Sequence, residues 1–445
     1  MVNYVRAYWY LHHLKKHLFW PSNKLKKHQN KMLKSIVRYA YDNVPFYHEM
    51  LDRLKIRPDE IRTVEDLEKL PILRKDQVRR NLDKMVSKEY DVNRLKMLKT
   101  SGSTGEPLCF YITEAEDEFR KAKHLRANMV LGQKLRDRWV TITAPVHFNE
   151  TTRLQRLLGF YVPLSVSVFD DVVTQFSRIE KLKPNILDGY ASSLLLLARE
   201  GEKRGRHAVK PRFMISGAEV IDVRSRCLIE DTFKAPLFDQ YATAEFERLA
   251  WQCEEKAGYH IDADSVILEF VDRDGERVGA GETGEVICTS LFNYAMPFIR
   301  YALGDLGRSS QATDCTCGRT FPLMEVVEGR TNDIIVLPDG RIMSPVTFLA
   351  GIYQLSFYKD IYKFRIVQKD VDCFRFLVML RDGCCLDLEA AQKEVREYFG
   401  GLFNVGGEVN FELETVEDIP LDKSGKFRVI ISEVANRFLK GCNNV

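Results

Sequence analysis

Two groups of residues in this chain have types and spacings that can do chemistry without help from the rest. The stretch "KTSGSTGEPLCFYIT", Lys99 to Thr113, sets Ser101, Gly102, Ser103, Thr104 and Gly105 in an unbroken run before a strand-like segment. Glycines let a backbone approach a ligand, hydroxyls add donors, and successive N–H groups in such a loop form a concavity suited to a phosphate. A solvated hairpin turn has the same composition. The second group is Cys315-Thr-Cys317 together with Cys253 and His260 of "WQCEEKAGYH". Cys3His is a closed zinc set, so these four residues suit a structural Zn2+ with no position left for water. Buried free thiols and a surface histidine are the alternative.

Weaker signals accompany them. His147 follows a strand end in "PVHFNE" and Tyr190 lies in "DGYASS". Both suit the wall of an apolar or aromatic substrate pocket, and core packing explains them equally well. Gly279-Ala-Gly281-Glu-Thr-Gly284 matches GxGxxG, but a dinucleotide fingerprint needs a hydrophobic strand before it and a helix after it. Here a charged turn precedes it and the strand-like "GEVICTSL" follows, so it reads as a turn.

The elements that must position these groups alternate. Apolar runs at 108–113, 139–144, 183–190, 211–217 and 236–242 read as strands, separated by helical patterns over 114–133, 191–205 and 222–233, which indicates an α/β sheet with parallel character. Helices are also expected over 28–55 and 64–70. Beyond residue 260 short strands and turns suggest an antiparallel subdomain. After "EGRTNDIIVLPDG" come two β-rich runs, a helix over 386–399 and a further strand, a small α+β domain.

At 445 residues the chain exceeds one core at ~100–200 residues per domain. With 45% hydrophobic and 29% charged residues and a net charge of +3, nothing points to nucleic acid. No apolar run is long enough to span a membrane, no signal-peptide pattern opens the sequence, and ten cysteines fit a reducing compartment. A cytoplasmic location is expected. The first 41 residues hold nine Lys/Arg and no Asp or Glu, interleaved with aromatics. Docking of this basic helical segment onto the main domain is expected, in preference to an anionic membrane surface.

Four further pieces follow the Ser/Gly run in order: Ser216-Gly217-Ala218-Glu219, "DQYATAE" (239–245), "RYALGDLG" (300–307) with "EGRTND" (328–333), and "DKSGKFR" (422–428). In this order they resemble the adenylate-forming superfamily, and within it the phenylacetate–CoA ligase and CapK-like branch. The resemblance covers essentially the whole chain. It implies an α/β fold with a large N-terminal domain, 1–331, of mixed and parallel sheets plus an antiparallel subdomain. A small mobile α+β C-terminal domain, 332–445, would follow.

By this resemblance, Ser101 to Gly105 cradle the β- and γ-phosphates of ATP, and Ser216, Gly217, Ala218 and Glu219 line the adenine and part of the acyl pocket. Tyr241 stacks on adenine, Thr243 contacts the α-phosphate and Glu245 holds Mg2+. Ala242 and Ala244 stand where glycine is common. Asp305 serves the ribose and Arg330 the ribose or a phosphate. Asn332, where Asp or Lys is usual, is the hinge, and Lys426 is the adenylation lysine. The implied activity is AMP-forming ligation: a small carboxylic acid is activated as an acyl-adenylate and passed to coenzyme A. An amine or a carrier-protein thiol is the alternative acceptor, and a non-catalytic ATP-binding scaffold the alternative of another class.

Overall fold

The computed structural model describes every residue except 1–3, 101–106, 146, 147, 149, 150, 205–207, 313, 326–334, 344–347, 349, 350, 353, 404–408, 423, 424 and 436–445. The Ser101–Gly105 run, His147, Arg330 and Asn332 therefore lie outside the described residues. The chain divides into two compact units. One comprises Met1–Ala218, Arg226–Leu303 and Gly307–Val327, the other Glu219–Ser225, Gly304–Leu306 and Glu328–Val445.

The first unit begins with three helices: α1 (Tyr4–His17), α2 (Ser22–Asn43) and α3 (Pro45–Leu54). The single helix expected over 28–55 is thus two. Proline has no N–H and favours the first helical position, so Pro45 starts a new helix after the extended Val44. Residues 65–69 form a short 3-10 turn instead of the expected α-helix. An antiparallel pair, β1 (Lys96–Lys99) and β2 (Cys109–Ile112), flanks the Ser/Gly run. Helix α4 (Glu114–Val130) follows under a capping box, with Thr113 accepting from the Glu116 N–H and Glu116 reaching back to Thr113.

The principal sheet comes next. Parallel strands β3 (Trp139–Thr143), β4 (Pro163–Ser167), β5 (Ile186–Tyr190), β6 (Phe213–Gly217) and β7 (Leu237–Thr243) are linked by helices α5 (Val172–Leu182), α6 (Ala191–Arg204) and α7 (Val223–Phe233). Strands β8 (Glu247–Gln252) and β9 (Tyr259–Ile261) then turn antiparallel. Strands β10 (Val266–Val271), β11 (Gly284–Ser290) and β12 (Tyr301–Gly307) form a separate three-stranded sheet, the expected antiparallel subdomain. Strand β13 (Leu323–Met324) closes the large sheet, whose order is β13-β9-β8-β7-β6-β5-β3-β4. The GxGxxG run is part of the β10–β11 connection. A Cβ on Gly284 would lie 2.6 Å from the Val271 nitrogen, so that glycine serves close strand packing.

Helix α1 docks by its inner face. Leu14 and Leu18 are buried, the Tyr10 ring meets Phe119 of α4 edge-on, and Arg6 pairs with Glu118. The second unit contains β14 (Ile335–Val336), β15 (Ile342–Met343), β16 (Ile361–Asp370) and β17 (Cys373–Leu380), helix α8 (Leu388–Phe403), then β18 (Asn410–Thr415) and β19 (Ile430–Ser432). Its four-stranded sheet runs β18-β17-β16-β19 around a core of Phe348, Phe374, Phe376, Phe399 and Phe411.

Candidate active site and metal centre

Ligands of open α/β sheets bind beyond the carboxyl ends of parallel strands. The registers Ile142↔Gly189, Tyr190↔Gly217 and Gly217↔Gln240 align the ends of β3, β5, β6 and β7. They bring Thr143, Tyr190, Ser216, Gly217 and the Tyr241–Thr243 strand end to one edge. Tyr190 is buried and its hydroxyl lies 3.3 Å from Thr143 Oγ1. Ser216 is fully buried and its hydroxyl donates to Asp239 Oδ1 at 2.6 Å, so at this edge it presents backbone. Ala218 has φ +65, a left-handed conformation that costs a residue with a Cβ roughly 1–2 kcal/mol. The chain turns sharply where β6 ends. Tyr241 is buried in the main core cluster.

Thr243, Ala244, Glu245 and Phe246 form the hairpin from β7 to β8, with Thr243 opposite Glu247. Thr243 Oγ1 accepts from the Phe246 N–H at 3.3 Å. Glu245 is 3% exposed and its Oε1 accepts from the Tyr301 hydroxyl at 2.8 Å. A second set of groups holds the hairpin's backbone. Arg120 donates to the carbonyls of Ala244 and Glu245, both at 2.7 Å, and Lys123 Nζ to that of Phe246 at 3.0 Å. Burial brings Lys123 down to about 8. Sequence reasoning missed Arg120 and Lys123. Their signal was a basic residue every three positions, Arg120, Lys123 and Arg126, on α4, a pattern that also describes a solvated helix face.

In the second unit, Asp305 lies within β12, just after Gly304, whose φ of +77 distorts the strand there. Lys426 follows Gly425, whose φ of +80 suits glycine, and its N–H donates to Asp422 Oδ1 at 3.0 Å while its carbonyl accepts from the Asp422 N–H at 2.9 Å. Also within this unit, Glu219 Oε1 accepts from the Phe427 N–H at 2.7 Å.

The metal candidates come together. The donor atoms of Cys253, His260, Cys315 and Cys317 all lie within 4.8 Å of one another. Cys253 and Cys315 Sγ are 3.7 Å apart, and Cys317 Sγ is 3.3 Å from His260 Nε2. His260 Nδ1 lies 3.3 Å from the Phe321 carbonyl, which leaves Nε2 directed at the thiols. Such an outer hydrogen bond fixes ring orientation and tautomer in metal-binding histidines. The surface-histidine alternative does not hold, since His260 is fully buried. The 315–320 loop also reaches the first helices: the Thr320 N–H donates to the Leu18 carbonyl at 3.0 Å.

The CapK C-terminal domain family matches residues 335–433. A phenylacetate-coenzyme A ligase of Thermus thermophilus is 29% identical over 71% of this chain and 73% of the relative. Protein CapK of Staphylococcus aureus is 25% identical over 93% of this chain and 90% of the relative. Among solved structures, 2-hydroxyisobutyryl-CoA ligase in the postadenylation state, in complex with R3-HIB-AMP, superposes with a TM-score of 0.77 at 19% identity. The match covers 97% of this chain and 94% of that one. The chain is thus similar over most of its length to phenylacetate-coenzyme A ligases and to CapK, and its C-terminal part matches the CapK C-terminal domain family.

Proposed function

We propose that this protein is an ATP-dependent, AMP-forming ligase that activates a small carboxylic acid as its acyl-adenylate and transfers the acyl group to coenzyme A. The observation that carries the reading is the fixed Thr243–Glu245 hairpin beside the Gly217–Ala218 turn, at the carboxyl edge of the parallel strands. In the first step a carboxylate oxygen attacks the α-phosphorus, the bond to the β-phosphate bridging oxygen breaks, and pyrophosphate leaves. Two anions must approach, so positioning and charge neutralisation dominate. Thr243 holds the α-phosphate and Tyr241 the adenine, the Gly217–Glu219 segment borders both adenine and acyl group, and Asp305 takes the ribose. The Ser101–Gly105 run and Arg330 complete the nucleotide contacts. Mg2+ would neutralise phosphate charge when bound, and Glu245, a hard oxygen donor oriented by Tyr301, suits it.

In the second step the coenzyme A thiol attacks the acyl carbon and AMP leaves. Lys426 serves the first step alone, with residues 332–445 rotating about Asn332 between the two. His147 and Tyr190 belong to the acyl side. An amine or carrier-protein thiol is the alternative acceptor. Cys253, His260, Cys315 and Cys317 hold a structural Zn2+ that ties β9 to the 315–320 loop. The nine described cysteines are free, and no described helix is long and apolar enough to cross a membrane. The free thiols support a cytoplasmic location.

Acid-dependent ATP–pyrophosphate exchange tests the reading. Lys426→Ala should lose exchange by a factor of 100 or more, on the scale of a lost ~3–4 kcal/mol electrostatic contact. It should still form thioester from preformed acyl-adenylate and coenzyme A near the parental rate. Equal loss of both half-reactions would make Lys426 structural, and an enzyme inert toward every acid would leave the scaffold reading. For the metal, purified protein should carry about one zinc per chain. Cys315→Ser should lower zinc content and melting temperature together; metal-free protein of full stability removes the site.

A further inference from the structure

One face of the parallel sheet is sealed at its base and accessible at its carboxyl end. Trp139, Ile186, Phe213, Ile215 and Phe238 pack into one buried cluster with Leu131 beyond α4. Side chains two positions on lie on the same face, which adds Thr141, Asp188 and Gly217, and then Thr143, Tyr190 and Gln240. The paired Thr143 and Tyr190 hydroxyls confirm this facing, and Gln240 Nε2 donates to Asn128 of α4 at 3.1 Å. In an interior strand covered by a helix such positions should be closed to solvent. Here Asp188, Thr143, Gly217 and Thr243 are partly accessible and Ala242 is exposed. His124 of α4, 25% exposed, completes the far wall beside Glu247. These residues outline a cleft that runs from the hairpin edge down between α4 and the sheet, and Gly217 keeps its mouth open.

The floor of this cleft is polar. Asp188 lies in β5 between β3 and β6, and among the described residues the groups that act on its charge are the His124 imidazole and the Trp139 indole, not an arginine or lysine. Burial pushes its carboxyl up to about 6, against the opposing pull of His124 and the Trp139 indole. Glu247, by contrast, is already matched: Arg120 Nη2 lies 3.3 Å from one oxygen and His124 Nδ1 3.4 Å from the other. A carboxylate in an interior strand opposed only by an imidazole and one indole N–H keeps lone pairs to fill, and a ligand donor would take them.

We propose that this cleft receives the acyl portion of the substrate, and that Asp188 selects a hydrogen-bond donor carried on it, a hydroxyl or an ammonium group. The acid is then a hydroxy- or amino-substituted one, not an unsubstituted aryl or alkyl acid. This rests on the adenylation reading and names its substrate class. Tyr190 and Thr143 form the side wall, and Asp188 takes the donor at depth, away from the carboxylate that reacts at the hairpin edge.

The test is pyrophosphate exchange by the full-length enzyme across two matched series. One is phenylacetate with its hydroxy- and aminomethyl-substituted forms at each ring position; the other is butyrate, hydroxybutyrate and aminobutyrate. Sites built to pair a substrate donor reject analogues lacking it strongly, so a donor-bearing acid should exceed its parent by about tenfold or more in kcat/KM. Asp188→Leu should erase that preference, raising the KM of the donor-bearing acid to that of its parent. Asp188→Asn separates the two donors: a hydroxyl preference should persist, an ammonium preference should vanish. Exchange without donor preference in the parental enzyme, or an equal loss with every acid in both variants, overturns the proposal and leaves the adenylation reading standing. Exchange with no acid at all overturns both.

Discussion

Two aspartates lie deep in the first unit, in the neighbourhood of α4, and their surroundings are opposite. Asp264, just before β10, receives Arg126 Nη1 at 2.6 Å and His17 Nδ1 at 2.8 Å; Asp262 beside it receives Arg126 Nη2 at 2.6 Å, Arg248 and the Trp251 indole. Burial alone would raise Asp264, yet Arg126 and His17 hold it at about 2. Asp188 has only the His124 imidazole and the Trp139 indole beside it and stands near 6, with burial the leading cause. The difference separates two uses of a buried carboxylate. Asp262 and Asp264 bind helix α1 and helix α4 to the sheet, and their charge is matched inside the protein. Asp188 is partly accessible and its charge meets an imidazole and an indole but, among the described residues, no guanidinium or ammonium, which leaves room for a ligand donor.

The largest expected effect tests the first half of that contrast. Arg126→Ala removes the cation shared by two buried carboxylates, leaving His17 to Asp264 and Arg248 with the Trp251 indole to Asp262, and should cost about 3 kcal/mol, the lower end of the penalty for breaking a buried pair by removing one partner. Denaturant unfolding reads it, and release of α1 should appear as faster amide exchange over residues 4–17. A loss below about 1 kcal/mol would place the network in the class of surface ion pairs.

The second prediction reverses the sign. A carboxyl raised on folding contributes stability below its unfolded pKa and loses it as pH rises through the folded value. For Asp188 the window runs from the ordinary 3.8 to about 6. Asp188→Asn should therefore stabilise the ligand-free protein at pH 7.5, by about 2 kcal/mol after allowing for solvent in the cleft. The gain should disappear below pH 4. Asp264→Asn should do the opposite, because a depressed carboxyl contributes stability above 3.8 that is lost as pH falls toward 2. Melting curves of both variants across pH 3–8 decide the matter. A destabilised Asp188→Asn at neutral pH would show that its charge is matched after all.

Much of the architecture was legible in the sequence because it depends on local pattern. The strand–helix alternation over 108–242 and the turn at Gly279–Gly284 rest on residues a few positions apart. The meeting of Cys253, His260, Cys315 and Cys317 was legible from residue type, since thiols and imidazole at such spacings have few uses. The break at Val44–Pro45 has an equally local signal, a proline at the first position of a helix. What could not be read is long-range. Arg120 and Lys123 match the spacing of a solvated helix face until the 244–246 carbonyls arrive over a hundred residues later. Asp188 in "KPNILDGY" reads as a strand residue near a turn, and only the sheet's register shows that it faces a cleft.

The smallest effect concerns backbone. Ala218, at the cleft's edge, holds φ +65, whereas the residues of the ion network have ordinary backbone. Sparsely populated conformations persist where the surroundings over-determine them, and they cluster at functional sites. Glycine would remove the Cβ penalty of roughly 1–2 kcal/mol and return part of it through a freer unfolded chain, roughly 0.5–1 kcal/mol. Ala218→Gly should thus be stabilising by about 0.5 kcal/mol, within a degree or two of melting temperature for a protein of this size. The loosened turn should at the same time raise the KM for ATP, because Gly217 and Glu219 on either side border the nucleotide in the proposed site. An equal change at Ala122, a helical position away from the edge, should lower stability by about 1 kcal/mol and leave KM alone. If Ala218→Gly destabilises the protein while KM stays put, the turn is simple scaffolding and the recognition side of the contrast rests on Asp188 alone.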